Sequence, residues 1–363
     1  MLKNKYWIAF SSIENIDSAF ILRLYNYFGD IEVAFNAPET EFKNIDGLSI
    51  TKTKNFIEAR KEINIDKVLN EVTKRNISFL TWEDEAYPFM LKQIYNPPAV
   101  LYYKGDLSRI NFNKTLAVVG SRKASSYAKD ALKMVLSELV NTDITIVSGL
   151  ASGIDTSAHN LALEFGLKTI GVIASGFDYI YPTTNKNLYD AIEKEHGVIF
   201  TEYYPTFEPL KYRFPQRNRI VSGLSYGTLV AEASLKSGAL ITANLTLEQG
   251  RELMCIPGLI TNPNTQGIYK LLKNGATLTT CADDILSVLE WEGGQKKLEL
   301  STTQEFDTEE SKIMSLLEIE EKSFDELLQL STMDIDTLLT NLTLLEIKGI
   351  IKRVNGDRYR KEV

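Results

Sequence analysis

The sequence has few of the residues that metal sites and disulfide frameworks require. Its 363 residues include two cysteines, Cys255 and Cys281, and two histidines, His159 and His196. Because no CxxC or HExxH spacing occurs, neither a zinc site nor a disulfide-stabilised fold is expected. The apolar runs are shorter than the roughly 18–20 residues that span a bilayer, and the amino terminus lacks the apolar stretch of a signal peptide. We therefore predict a cytoplasmic protein without a metal or a membrane partner.

The sequence is also short of positive charge. Lysine and arginine number 40 against 48 aspartates and glutamates, which gives a net charge of −8. Taken over the whole chain, this balance argues against a protein that coats nucleic acid by bulk charge. Hydrophobic residues (44%) and charged residues (24%) are close to the averages of folded globular proteins. At roughly 150 residues per domain, the length predicts two or three domains.

Hydrophobic periodicity separates two folded parts in the first 290 residues. Residues 1–75 carry apolar side chains at helical spacing between Gly, Asp and Pro turns, which predicts a small helical, SAM-like domain. Residues 76–290 alternate apolar, β-rich runs with helical segments, which predicts an α/β domain with an extended Rossmann-like parallel sheet covered on both faces. The predicted strands of this sheet are 115–121, 144–149, 169–175, 197–202, 227–233, 252–258 and 276–281.

A polar, aperiodic segment, residues 291–308, predicts a linker to a C-terminal domain. Residues 309–363 then predict three helices, with Ser323 and Asp334 as N-cap candidates, followed by a hairpin around Asn355-Gly356. Three helices and a β-hairpin are the layout of a winged helix.

The end of this winged helix is locally basic. Residues 346–362 hold six cations against three acids. Contact with duplex DNA is therefore one expected role of the domain. Winged helices also dock proteins, and the sequence leaves both roles open.

Polar and glycine-rich turns follow several predicted strands, and ligands of open α/β sheets bind at this edge. Gly120, Ser121 and Arg122 follow the first strand; the glycine lets the backbone approach a ligand, and the arginine offers a fork of donors matched to phosphate. The turn lacks the GxGxxG pattern of a dinucleotide site, and a tight connection is an equally good interpretation. Ser237 and Gly238 open a later helix and add further donors at the same edge.

A second glycine-rich loop follows the next strand. It contains Ser148, Gly149 and Gly153 and leads into a helix. Asp155 and His159 lie one turn apart on this helix, so they share a face and fit either an acid–base dyad or a structural hydrogen bond. The structural interpretation is the more common one for such a pair.

The segment KYRFPQRNR is basic within an acidic chain. It runs from Lys211 to Arg219 and holds four cations and no acid. Lys211 and the arginines can pair with phosphates while Phe214 offers a stacking face, and single-stranded nucleic acid needs both. Asn218 separates Arg217 from Arg219, and either arginine fits equally well in a buried ion pair with an acid at a strand end.

Taken in order, these motifs resemble those of the DNA-processing protein A (DprA, or Smf) family. VVGSR, SGLASGIDTSAH, SGFDYIYP, FPQRNRI, SGALITA and NTQGIYKLLKNGA follow one another with consistent spacing over about residues 80–285. The resemblance implies a protein that binds single-stranded DNA without a cofactor, forms a homodimer, protects incoming DNA and loads the RecA recombinase during natural transformation. It also implies that the turn at Gly120 forms a phosphate pocket and that Lys211 and Phe214 contact DNA.

A second interpretation is enzymatic. The run from Arg219 through Tyr226, Gly227 and Thr228 to Glu232 resembles the Arg and PGGxGTxxE arrangement of lysine-decarboxylase-like phosphoribohydrolases. In that family an Arg and a Glu act at the ribosyl bond, so the chain would be a nucleoside-monophosphate phosphoribohydrolase. Because only one glycine precedes Thr228, we favour the non-enzymatic DNA-binding interpretation.

Overall fold

The computed structural model divides into two units after residue 294, and each is described by itself. The described residues are 4–291, 308–317, 321–347, 350–354 and 358–361. Most of the predicted linker, residues 292–307, and the predicted hairpin turn at Asn355-Gly356 lie outside them.

Five helices and a 3-10 turn precede the sheet of the first unit. They are α1 (Asn4–Ser11), α2 (Ser18–Phe28), α3 (Ile31–Asn36), the turn Glu41–Asn44, α4 (Ile50–Glu62) and α5 (Ile65–Lys74). The side chains of Asp17, Ser49 and Asn64 accept hydrogen bonds from the first turns of α2, α4 and α5, which fixes where these helices begin. Phenylalanine rings fill the space between the helices, with Phe10 stacked 4.9 Å from Phe56.

A nine-stranded, mostly parallel sheet forms the centre of the first unit. Its strands are β1 (Ser78–Thr81), β2 (Val100–Gly105), β3 (Thr115–Gly120), β4 (Thr145–Ser148), β5 (Lys168–Val172), β6 (Gly197–Thr201), β7 (Gly227–Glu232), β8 (Glu252–Cys255) and β9 (Thr277–Leu278). They are arranged in the order β1-β2-β6-β5-β4-β3-β7-β8-β9. Strands β3 to β9 are parallel, while β2 pairs antiparallel with both β1 and β6. The predicted α/β fold class is confirmed.

Helices cover both faces of this sheet. They are α6 (Phe89–Lys92), α7 (Ser126–Ser137), α8 (Ile154–Glu164), α9 (Lys186–Ala191), which continues as a π-helical turn (Ile192–His196), α10 (Arg213–Gly223), α11 (Ala239–Glu248), α12 (Gln266–Lys273) and α13 (Ala282–Val288). Three short 3-10 turns, Leu107–Arg109, Thr183–Asn185 and Pro263–Thr265, lie in the connections. Along β3, Ala117 and Val119 join the core under α10 and α11, while Leu116 and Val118 join the core under α7 and α8. This two-sided burial explains why the strands are continuous apolar runs.

The amino-terminal helices belong to the same unit as the sheet. Their hydrophobic core includes Tyr102 of β2, whose hydroxyl lies 2.5 Å from that of Ser11. At the end of α5, the Arg75 guanidinium donates to Asp178 over 2.9 Å, which ties the helices to a loop of the sheet. The domain boundary after residue 75 stays a prediction.

The second unit has three helices and a three-stranded sheet. Its elements are α14 (Thr308–Leu316), β10 (Lys322–Ser323), α15 (Phe324–Ser331), α16 (Ile335–Ile347), β11 (Ile351–Val354) and β12 (Arg358–Lys361), with strand order β10-β12-β11. The predicted cap Ser323 forms a capping box with Glu326, and Asp334 accepts a hydrogen bond from the Thr337 amide. This is the predicted winged helix.

Candidate nucleic-acid interface

A cleft of about 690 Å³ opens at the carboxyl ends of the parallel strands. From β3 to β6 successive strands are added on one side of β3, whereas β7, β8 and β9 are added on its other side. The cleft lies at this switch in strand order, between the loops that follow β3, β4 and β7. This is the place at which open α/β sheets bind ligands. The lining residues are Val119, Gly120, Ser121, Arg122, Lys123, Gly149, Ala151, Asp155, Tyr181, Lys211, Phe214, Pro215, Arg217, Asn218, Val221, Ser234, Ser237, Gly238, Ala239, Ile241, Thr242 and Asn264.

Backbone hydrogen bonds fix the turn after β3. The Ser121 amide donates to the Glu232 carbonyl over 2.8 Å, and the Ser121 carbonyl accepts from the Ile154 amide over 3.1 Å. A Cβ at Gly120 would stand 2.5 Å from Ile154, so glycine allows the turn to reach α8. The turn therefore holds its backbone rigidly and leaves the Arg122 side chain exposed.

A left-handed glycine brings the second loop against the first. Gly153 has φ +84°, and a Cβ there would stand 2.2 Å from the Ser121 carbonyl oxygen. Below the loop, the buried Ser148 hydroxyl donates to the Val118 carbonyl over 2.6 Å. Neither Gly153 nor Ser148 lines the cleft, so both support its floor.

Arg217 is the buried anchor of the cleft. Only 4% exposed, its guanidinium donates to the carbonyl oxygens of Gly149 and Val172, and its Nε donates to Asn218 over 3.2 Å. A Cβ at Gly149 would stand 2.6 Å from the guanidinium, so a larger residue there would displace the Arg217 side chain. Burial lowers the pKa of Arg217, while the nearby Asp155 opposes this change. The side chain thus joins the loop after β4 to α10.

Asp155 and His159 do not form an acid–base dyad. Asp155 accepts from the Ala151 amide over 3.3 Å, and burial raises the pKa of its carboxyl to about 6. His159 Nδ1 lies 2.7 Å from the Thr169 hydroxyl, and that hydroxyl donates to the Ile146 carbonyl over 2.9 Å. Burial lowers the pKa of His159 to about 3, so the ring is neutral and pins α8 to β5.

Aromatic rings and cations meet at one side of the cleft. The Phe214 ring stands edge to face with Tyr181 at 5.3 Å, and the Arg122 guanidinium carbon lies 5.4 Å from the centroid of Phe214. Lys211 lines the cleft beside them and is exposed. Phe214 is only partly buried, so its ring is available to a ligand.

Three helices begin around the cleft with N-cap residues whose side chains make no capping hydrogen bond. These are α8, α10 and α11, whose N-cap residues are Gly153, Tyr212 and Gly238. Backbone carbonyls already accept from amides at these starts: the Ile154 amide donates to Ser121, the Arg213 amide to Leu210 and the Leu240 amide to Ser237. At the start of α11, the Ser237 hydroxyl accepts from the Ala239 amide over 3.3 Å.

Arg219 and Glu232, the residue pair of the hydrolase interpretation, lie outside the cleft lining. Arg219 forms an ion pair of 2.5 Å with Glu202, and both side chains are nearly buried. Glu232 accepts hydrogen bonds from the amide and the hydroxyl of Ser125, so it holds the start of α7. Each of the two side chains is thus held by a different partner.

The cleft brings together ten of the thirteen predicted site residues, all but Ser148, Gly153 and Arg219. The list of predicted site residues did not contain Lys123, which directly follows Arg122, or Tyr181, whose loop SGFDYIYP was expected to shape one side of the cleft. Within the described part of the chain, no cluster of three or more His, Cys, Asp or Glu side chains fits a metal ion. Across those same residues, no helix is long and apolar enough to cross a bilayer.

Comparison with known proteins identifies similar chains over both units. Residues 78–290 match the family model of DNA recombination-mediator protein A, and residues 299–357 match that of the DprA winged helix domain. DNA processing protein DprA of Bacillus subtilis is 38% identical over 72% of this chain and 87% of its own length.

Two solved structures are also similar. DNA processing protein A of Streptococcus pneumoniae has a TM-score of 0.69 at 37% identity, covering 79% of this chain and 97% of that one. DNA processing protein A of Helicobacter pylori, a protein described by its single-stranded DNA binding mode, has a TM-score of 0.53 at 30% identity. The alignment with it covers 59% of this chain and 95% of that one.

Proposed function

Because this chain belongs to the family of DNA recombination-mediator protein A, also named DNA processing protein A, we propose that it binds single-stranded DNA in the cleft. The observation that carries the proposal is the exposed pair of cations, Arg122 and Lys211, beside the partly buried ring of Phe214. Phosphates pair with the cations while a base stacks on the ring. Asp155 is the one acid among the described lining residues, and it lies buried at the floor.

The arrangement favours single strands over duplexes. In a duplex the base faces are stacked on one another, and only an unpaired base can turn its face to Phe214. The exposed side chains of Arg122 and Lys211 receive the phosphate without regard to sequence. The strand is therefore bound by its backbone and by stacking, with little sequence preference.

As a recombination mediator, the protein would act by binding in the cytoplasm and not by catalysis. It holds and protects the strand as a homodimer and passes it to the RecA recombinase. Family membership supports this role.

Direct titration tests the proposal. A fluorescently labelled single strand is expected to bind the full chain at least about tenfold more tightly than a blunt duplex of the same sequence, because stacking is available only to the single strand. Fluorescence anisotropy at fixed salt measures both affinities, and a repeat with RecA tests for a ternary complex. Equal affinities for the two DNAs would remove the proposal.

The hydrolase interpretation is tested on the same preparation. Incubation with nucleoside monophosphates, followed by chromatography for free base, is expected to give none above the protein-free control. Base release that disappears in Glu232→Gln would establish catalysis instead.

The winged helix is polarised in charge. Helices α15 and α16 span residues 324–347 with five acids and no cation, so α16 is poorly suited to enter the major groove. The wing, which consists of strands β11 and β12, carries Lys352 and Arg360 as exposed cross-strand partners. Any duplex contact of this unit is therefore assigned to the wing.

Reversing the wing charges tests this assignment. The double substitution Lys352→Glu and Arg360→Glu replaces one like-charged cross-strand pair by another, and it is expected to lower duplex affinity roughly tenfold through lost phosphate contacts. Anisotropy with a blunt duplex measures the change, and Asp336→Lys on α16 is the matched control with little expected effect. Unchanged duplex affinity in the wing variant would leave protein docking as the role of this unit.

A further inference from the structure

Tyr181 is an aromatic side chain that the core of the fold does not use. Half of its surface is exposed, although it lines the cleft. Its ring contact is Phe214, with centroids 5.3 Å apart and planes at 65°. An edge-to-face pair leaves ring surface free of the partner, so a flat ligand can cover it.

Buried side chains hold the backbone of Tyr181 in place. The hydroxyl of buried Tyr189 donates to the Tyr181 carbonyl over 3.3 Å. Four residues after Tyr181, the buried Asn185 amide donates to the Leu150 carbonyl and to the Thr156 hydroxyl, both over 2.9 Å. The loop is thus fastened to the floor of the cleft while the ring stands in solvent. A fixed backbone that presents an exposed aromatic ring is preorganised for binding.

We propose that Tyr181 is a second aromatic contact for the DNA strand, receiving the base next to the one stacked on Phe214. The inference rests on the proposed function. Arg122 lies over the Phe214 ring and Tyr181 contacts that ring edge to face, so the three side chains form a continuous surface. Neighbouring bases of a single strand can cover both rings while the phosphates reach Arg122 and Lys211. Stacking on two rings tolerates any sequence, since every base has a π-face.

Alanine and phenylalanine substitutions test whether the Tyr181 ring binds. Tyr181→Ala is expected to weaken single-strand binding roughly tenfold, the scale of one lost stacked base. Tyr181→Phe keeps the ring and is expected to restore most of that affinity. Tyr95→Ala, which removes a fully exposed tyrosine outside the cleft lining, is the matched control. Anisotropy of a labelled oligonucleotide gives the three affinities.

A double-mutant comparison separates a direct contact from a supporting one. If Tyr181 only holds the Phe214 ring, then Tyr181→Ala has no further effect once Phe214→Ala is present. If it binds its own base, the loss persists in that background. Photocrosslinking of an oligonucleotide containing 5-bromouracil, mapped by mass spectrometry on the wild-type chain, is expected to mark Tyr181 itself.

The outcomes separate this inference from the proposed function. Loss of binding in Arg122→Ala together with wild-type binding in Tyr181→Ala would overturn the role of Tyr181 alone. An effect that vanishes in the Phe214→Ala background, with no crosslink at Tyr181, would do the same. A wild-type chain that does not prefer single strands would overturn both.

Discussion

Replacing Arg217 by methionine is expected to lower the free energy of unfolding of the first unit by about 3 kcal/mol, because two buried carbonyls lose a charged donor. The guanidinium joins Gly149, Val172 and α10, and methionine fills its volume without donating. Removing the positive charge also takes from the buried Asp155 the cation that most lowers the pKa of its carboxyl. The midpoint temperature of thermal unfolding, followed by circular dichroism, is expected to fall by roughly 6–12 °C.

Two further variants define what the Arg217 experiment measures. Arg217→Lys keeps the charge but not the fork of donors, so its stability is expected between that of wild type and methionine. Arg109→Met removes an arginine whose side chain is 42% exposed and paired with Asp106, and it is expected to change stability little. A methionine variant as stable as wild type would show that Arg217 does not anchor the cleft.

The sequence of α10 predicts that Arg217 and Arg219 differ in their surroundings, but it does not identify their partners. Residues two positions apart on a helix project to nearly opposite sides, so Arg217 and Arg219 had to differ in their surroundings. Which of them would face the cleft depends on Glu202, Gly149 and Val172, which are distant in sequence. The local sequence pattern supplies the residue types and the periodicity. The hydrogen-bond or ion-pair partner of each guanidinium is determined by the tertiary structure.

Strand positions were predictable because each strand is a continuous apolar run. The carboxyl ends of the strands were not predictable, because buried residues continue past the last hydrogen bond between neighbouring strands. The prediction 169–175 extends beyond β5, which ends at Val172, and Ile173 and Ala174 remain buried in the loop. In 252–258, β8 ends at Cys255, two residues before Pro257, which lacks the amide that a ladder needs.

The convergence of the site was predictable for a topological reason. Parallel strands end at one edge, so the turns at Gly120, Gly149 and Ser237 had to meet there. The edge-to-face contact between Tyr181 and Phe214 was not predictable, because the two residues lie 33 positions apart with α9 and β6 between them. Only the folded chain shows which aromatic ring of the SGFDYIYP segment reaches the cleft.

Removing Arg122 and Lys211 together is expected to weaken single-strand binding by about 100-fold and to change its dependence on salt. Each lost phosphate contact lowers the magnitude of the slope of log affinity against log salt by about 0.7 for a single strand. The slope of the double variant is therefore expected to be smaller in magnitude by about 1.4 than that of the wild type. Both side chains are exposed, and the rigid turn after β3 does not depend on the Arg122 side chain. The fold is therefore expected to survive both substitutions, and anisotropy titrations at several salt concentrations give the slopes.

Matched variants identify whether charge or geometry is lost. Arg122→Lys keeps the charge, so the salt slope is expected to stay at the wild-type value, while affinity falls because lysine lacks the flat fork that lies over Phe214. Lys61→Ala removes an exposed cation of α4 that pairs with Glu39, and neither affinity nor slope is expected to change. If the double variant kept the wild-type slope, its two cations would not touch phosphate, and the strand would lie elsewhere on this unit. The net charge of −8 would then argue against nucleic-acid binding. Only the local excess of cations at this edge of the sheet outweighs that overall negative charge.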